Sequence, residues 1–275
     1  MNIYLKIGAA LALLAILWLG WMYTLYVRSE PTHCHTITLT GSIEPKLFDD
    51  VRDCLVRSTA PKKTFVIAAS PGGNMEVALA LGMLIHEHNW DVEIVDYCLS
   101  SCAAFIFPAG RVKYLHRESL VVFHGGPRQH NLLEMAMEME RDLAMHGGHL
   151  EKASYGHAGK ESIVSFDPRI VEASKSVREF LSIGPINGGV DLLKKLGTLS
   201  DQFYRELGID GLLPYYGQMG EYESTYKAYE HIGFMYRLDD LSRFGVTNIE
   251  LKDGEWQPER NPLYREVYEV SYPGP

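Results

Sequence analysis

The chain predicts an α/β fold with parallel sheets and crossover helices, preceded by one N-terminal transmembrane helix, and three observations carry that expectation. Between residues 36 and 126, short apolar runs alternate with helical patterns, the arrangement of parallel strands buried on both faces. Three glycine- or serine-rich segments each follow such a run: Ser70-Pro71-Gly72-Gly73, Ser100-Ser101-Cys102-Ala103-Ala104 and Phe123-His124-Gly125-Gly126. Ahead of them, Ile7–Val27 carries no charge, and about 20 apolar residues suffice to cross a bilayer as helix.

The N-terminal stretch ends in Trp18, Trp21, Tyr23 and Tyr26, aromatic residues suited to a membrane interface. A cleaved signal peptide is the competing reading, but the small residues of a cleavage site are missing before Arg28. An uncleaved anchor over 1–28 is therefore expected. Lys6 and the terminal amine precede the span, while Arg28 after it is offset by Glu30. That slight bias puts the body outside the cytoplasm, in the periplasm or its equivalent.

Thr36–Thr40 alternates polar and apolar residues like a strand. Pro45 opens a helix with Leu47, Val51 and Leu55 on one face. Thr64–Ala69 is a buried strand, and the helix after Gly73 carries Val77, Leu81, Leu84 and Ile85. Val92–Tyr97 is the next strand, 102–110 a helix of small and apolar residues, and Leu120–Phe123 a further strand. Helices are expected over Asn131–Lys152, 174–182, 189–196, 199–207 and Leu238–Phe244, and a last strand over Val246–Leu251. The body would then run from 29 to 257 with a helical insertion near 127–230, and 258–275 would form a surface tail.

Acids outnumber bases 35 to 26, giving a formal charge of −9. No basic stripe is present to neutralise phosphates, so no nucleic-acid partner is expected. Four cysteines (Cys34, Cys54, Cys98, Cys102) allow three pairings in an oxidising compartment, and Cys34–Cys54 is the first to test. Reduced, buried thiols are the alternative. The histidine groups His33/His35, His86/His88 and His146/His149 lack the carboxylates and the geometry of a metal site, so neither metal nor cofactor is expected.

The three segments supply what acyl transfer requires. Gly72 and Gly73 allow close backbone approach and aim N–H donors at a ligand, or they form an ordinary turn. Ser101 at a helix start could be a nucleophile, with the Cys102 N–H as a second oxyanion donor, or Ser100 and Ser101 could cap the helix. Ser100 and Cys102 are rival nucleophiles. His124, at a strand end, could be the general base or a structural histidine.

Taken together, Ser70-Pro-Gly-Gly, Ser101-Cys-Ala-Ala-Phe-Ile-Phe-Pro-Ala-Gly110 and Leu120-Val-Val-Phe-His124 resemble the ClpP/crotonase superfamily, and most of all its ClpP-like serine peptidases with membrane-associated or periplasmic members. The likeness covers about Thr36 to Gly126 and resumes in Tyr236–Asn248. It implies a ClpP/crotonase-like fold, Ser101 as nucleophile, His124 as base, and Gly73 with Cys102 as the oxyanion hole. It also implies a polypeptide substrate and a homo-oligomer. The family has Met after its serine where this chain has Cys102. Its triad acid matches a place near Gly233, which bears no carboxylate, and Glu230 lies three residues earlier. A Ser/His dyad, or an inactive scaffold kept for binding, therefore stands beside the peptidase reading. A crotonase-type acyl-CoA enzyme is the third reading. The stripe Leu132/Met135/Met139/Leu143 is expected as core, or as a groove or oligomer surface.

Overall fold

A computed structural model of the chain describes residues 35–57, 63–145, 189–228 and 230–273. Five short strands, β1 (Thr36–Thr40), β2 (Thr64–Ala69), β3 (Asp91–Ile94), β5 (Lys113–Leu115) and β8 (Ile249–Leu251), form one sheet in the order β1-β2-β3-β5-β8. Every pair in it is parallel. Parallel neighbours require crossovers, and helices α1 (Pro45–Arg57) and α2 (Met75–Glu87) supply the first two. Asn74 caps α2, its Oδ1 accepting from the Val77 N–H at 3.0 Å. Every residue of α2 from Val77 to Ile85 is buried, because the helix lies between the sheet and the elements that follow.

A second layer continues the first. β4 (Tyr97–Leu99) pairs with β6 (Leu120–Val122), and β7 (Gly233–Met235) with β9 (Val267–Glu269), both in parallel. Bridges at Ser70↔Cys98 and Phe123↔Phe234 join these pairs to the end of β2 and to each other. The expected single strand over Val92–Tyr97 is thus two strands in two sheets. Val95 and Asp96 still donate to the carbonyls of β2, but Ser70 N–H then takes the Tyr97 carbonyl at 2.8 Å and the chain passes into the second layer.

A π-helical turn, Cys102–Ile106, runs into the one-turn helix α3 (Phe107–Ala109). The first helix after His124, α4, covers His130–Met145. The two helices expected over 189–196 and 199–207 are one, α5 (Gly189–Leu207). The Gly197-Thr198 pair does not break it, since Gly197 only leaves room for the Arg128 side chain. Helices α6 (Glu223–Lys227) and α7 (Leu238–Arg243) follow among the described residues. Strand β8 is shorter than the expected Val246–Leu251.

The residues after Pro258 do not trail away as a tail. β9 pairs with β7, Val267 and Val270 are buried, and the Asn261 amide donates to Asp96 and to the Glu118 carbonyl. The core joins Phe65 and Ile67 of β2, the buried face of α2, the small-residue turn 102–106, and an aromatic cluster of Phe123, Phe234, Tyr236 and Phe244.

The expected membrane anchor 1–28, the expected helix 174–182 and the far part of Asn131–Lys152 lie outside the described residues. Among the described residues no helix is long and apolar enough to cross a membrane. Met135 of the α4 stripe is 57% exposed and so is not core, whereas Leu132 and Met139 are half-buried and Ala136 is the buried residue of that face.

Candidate active site

β2 ends at Ala69, and the next residue, Ser70, bridges to β4: its N–H donates to Tyr97 and its carbonyl accepts from Leu99. The chain must then turn away, and Gly72 (φ +90°) and Gly73 (φ +145°) do so in left-handed backbone that side chains disfavour. Each glycine is also packed. A Cβ on Gly72 would lie 2.7 Å from Ser100 Cβ, and one on Gly73 2.5 Å from the Ile43 carbonyl oxygen. The loop thus packs onto the Ser100-Ser101 corner through Gly72 and onto Ile43 through Gly73.

That corner is a tight one. Ser100 sits at φ +59°, rare for a residue with a side chain, while its N–H donates to the Val122 carbonyl and its own carbonyl accepts from Ala104. Ser101 follows in helical backbone, 5% exposed, and its hydroxyl makes no capping bond to the helix. Instead Oγ accepts from the Gly73 N–H at 3.0 Å and donates to the Gly73 carbonyl at 3.1 Å. The structure therefore brings Gly73 and Ser101 together and sets the capping alternative aside for Ser101. Cys102 opens the π-helical turn, so its N–H lies among the first donors of a helix, which lack an intrahelical partner.

Cys102 is disulfide-bonded to Cys98, with their Cα atoms 5.3 Å apart. The bridge closes over Leu99, Ser100 and Ser101, and both of its cysteines are fully buried. Cys102 is thus no free thiol and no rival nucleophile. Cys54 is disulfide-bonded as well, and its expected partner Cys34 lies outside the described residues. Across the turn, the Tyr204 hydroxyl of α5 donates to the Ala104 carbonyl at 2.6 Å, fixing the helix behind the serine.

His124 leaves the end of β6 one residue after Phe123, whose N–H and C=O both bond to Phe234 at 2.8 Å. Its side chain keeps a solvent-facing surface, yet the protein around it removes enough water to lower its pKa below the ordinary histidine value, a hydrogen bond to its own backbone opposing the shift. Ser101 Oγ points to Gly73 rather than to the imidazole. Gly233 is the neighbour on the other side, where a Cβ would lie 3.3 Å from His124 Cβ and 2.4 Å from the Phe123 carbonyl oxygen. No side chain fits there, carboxylate included. Glu230 is exposed, and Asp240 is occupied, its Oδ1 accepting from the Tyr272 N–H at 2.9 Å.

Beyond His124 opens a cavity of about 800 Å³, lined in part by Gln129, Asn131, Tyr215, Gln218 and Tyr226. It is not centred on Ser101. It adjoins the His124 loop, because the space a Gly125 side chain would fill is taken by Gln129 Oε1 and Gln218 Nε2, and that of Gly126 by the Tyr215 hydroxyl. Nothing in the spacing of these residues marked them, since Gln218 and Tyr226 reach the loop from some 90 positions away. The Cys98/Cys102 bracket around Ser101, by contrast, was visible as a spacing of four. Among the described residues no three His, Cys, Asp or Glu side chains converge as metal ligands.

No protein-family model matches this chain, and no curated protein matches it.

Proposed function

We propose that the chain is a serine hydrolase of ClpP/crotonase-like fold, a peptidase acting on polypeptides, with Ser101 as nucleophile and His124 as general base. The observation that carries this reading is the Ser101 hydroxyl, buried and held at 3.0 Å by the backbone N–H of Gly73. Oγ would attack the scissile carbonyl while its proton passes to His124, and the carbonyl electron pair would move to oxygen between the Gly73 and Cys102 N–H groups. Collapse of that adduct expels the amine, which takes the proton from His124. Water, deprotonated by the same imidazole, then releases the acid and restores Ser101.

The buried Cys98–Cys102 bridge supports an oxidising compartment, in keeping with a body tethered outside the cytoplasm by the span over 1–28. Self-association is part of the same reading, through its resemblance to oligomeric peptidases.

One observation favours a second reading. Gly233, the position that the resemblance matches to the triad acid, lies beside His124 and bears no carboxylate, and a histidine held in the wrong tautomer loses most of its catalytic power. An inactive scaffold that binds polypeptide would keep the same glycine loop and lose Ser101 reactivity. A fluorophosphonate probe followed by mapping of the adduct separates the two: labelling of Ser101 supports the hydrolase, and an unlabelled, folded protein supports the scaffold. An acyl-CoA enzyme would instead bind CoA esters, which calorimetry reads directly.

A further inference from the structure

We propose that Tyr204 is a positioning residue for Ser101: its hydroxyl holds the π-helical turn in the register that aims the serine and the Cys102 N–H. This role rests on the hydrolase reading for the chemistry that the geometry serves.

The sequence explains why the turn is wide. In an α-helix the Ala104 carbonyl would accept from the residue four places on, which is Pro108. Proline has no N–H, and its ring crowds that same carbonyl. The turn runs instead in π register, with the Phe107 N–H donating to the Cys102 carbonyl five residues back. Tyr204 supplies the donor that Pro108 lacks, its hydroxyl lying 2.6 Å from the Ala104 oxygen. Both residues are buried, where a carbonyl left without a donor is costly. Burial also pushes the tyrosine pKa well above its ordinary value, so the hydroxyl keeps the proton it donates.

Packing holds the tyrosine in turn. Phe105 of the turn meets Tyr204 and Phe203 of α5 with ring centroids 6.4 and 6.0 Å apart. Gly82 of α2 leaves room for this contact, since a Cβ there would lie 2.4 Å from the Phe105 oxygen and 3.2 Å from the Phe203 ring. The turn is thus tied twice, Cys102 to β4 by the disulfide and Ala104 to α5 by Tyr204. Ser101 stands immediately ahead of it. Closing the turn into α register would rotate Ser101 and Cys102 relative to the residues behind them and draw Oγ from Gly73. Helix α5 lies within 127–230, outside the stretches that carry the family resemblance. The tether therefore comes from this chain's own insertion.

The test uses the full chain in detergent micelles. Fluorophosphonate labelling of Ser101 is read as a maximal rate and a half-saturating concentration, and amide hydrogen exchange of the peptide 99–107 is followed by mass spectrometry. Tyr204→Phe should lower the maximal rate about ten- to a hundredfold, as for a misplaced reacting group, and leave the half-saturating concentration nearly unchanged. Exchange at 99–107 should quicken about tenfold. Adding Pro108→Ala, which returns an N–H four residues after Ala104, should restore the melting temperature lost with the hydroxyl but not the labelling rate. A tyrosine that only stabilises the fold would show both recovering together. Pro108→Ala alone should slow labelling with little change in melting temperature, and it carries the test if Tyr204→Phe does not fold. Wild-type labelling rates in the folded variants, recovery of the rate in the double variant, or unchanged exchange at 99–107 overturns the assignment. A wild-type chain that takes no adduct fails the hydrolase reading and overturns the assignment with it. A labelled wild-type chain with indifferent variants overturns the assignment alone.

Discussion

Ser101 and Gly73 hold each other by two hydrogen bonds, N–H to Oγ at 3.0 Å and Oγ to the carbonyl at 3.1 Å. The donor that a tetrahedral oxygen would need is thus engaged by the hydroxyl that would create that oxygen. In the proposed hydrolase Oγ would have to leave the Gly73 carbonyl to lose its proton, and that movement would free the Gly73 N–H. The residues proposed as nucleophile and oxyanion donor are thus coupled in this corner, and damage to one should register in the other.

Gly73→Ala tests that coupling. Its Cβ would sit 2.5 Å from the Ile43 carbonyl oxygen, in backbone at φ +145°, a strain worth about 1–3 kcal/mol before any clash is relieved. Urea denaturation should show at least that loss. Alanine keeps the N–H but the strain turns it from the site, so the rate of Ser101 labelling should fall by up to about 10²–10³-fold, the loss for an oxyanion donor that no longer engages.

In the proposed hydrolase His124 sets the pH dependence. Burial lowers its pKa, so the neutral base is available to lower pH than for an ordinary histidine at about 6.5. The labelling rate should rise with pH, with its inflection below 6.5, and be flat at neutrality. Stability follows the same sign: the unfolded chain binds the proton more readily, so stability is lost as pH falls through the window below about 6.5. His124→Gln should remove the inflection and lower labelling about 10²–10⁴-fold. Glu230→Gln, at an exposed position, should leave the profile in place.

The Cys98–Cys102 bridge closes a loop with a sequence separation of four around Ser101. Loop-closure entropy for so short a ring is worth about 2 kcal/mol. Replacing both cysteines by alanine should cost about that much stability in denaturant. It should slow Ser101 labelling disproportionately, because the left-handed Ser100 and the Cys102 N–H both lie inside the bridged turn. Equal labelling in the double variant would detach the bridge from the site.

Lys113 gives a second pH signature. It is 5% exposed, donates to the Gly110 and Thr247 carbonyls at 2.7 and 3.1 Å, and its pKa is lowered by burial to about 8. The folded chain therefore sheds this proton earlier than the unfolded one, whose lysine titrates near 10.4. Between those values wild-type stability should rise with pH relative to Lys113→Met, measured as urea midpoints at intervals from pH 7 to 10.

Much of the scaffold was legible because its signals are local. The apolar run Thr64–Ala69, the Pro45 helix start and the Ser-Pro-Gly-Gly turn each follow from neighbouring residues, and each stands where the sequence put it. The meeting of Gly73 with Ser101 was legible as well, since each follows the end of a parallel strand, β2 and β4, and the Ser70–Cys98 bridge brings those ends together. What escaped depends on distant partners. The strand 92–97 divides because Tyr97 finds Ser70, three-residue strands such as β5 and β7 are too short to show a period, and β9 forms only because β7 offers it an edge. Gln218 carries no pattern at all. Its place follows from Gly125, which lacks a side chain and so leaves room for the amide beside the histidine loop.

The most direct measurement is the Ser101 adduct itself. The full chain, treated with a fluorophosphonate and digested for mass spectrometry, should carry the phosphonyl group on the peptide containing Ser101. The adduct should disappear in Ser101→Ala and persist in Ser100→Ala. A folded wild-type chain that stays unlabelled, or an adduct that survives Ser101→Ala, would contradict the hydrolase.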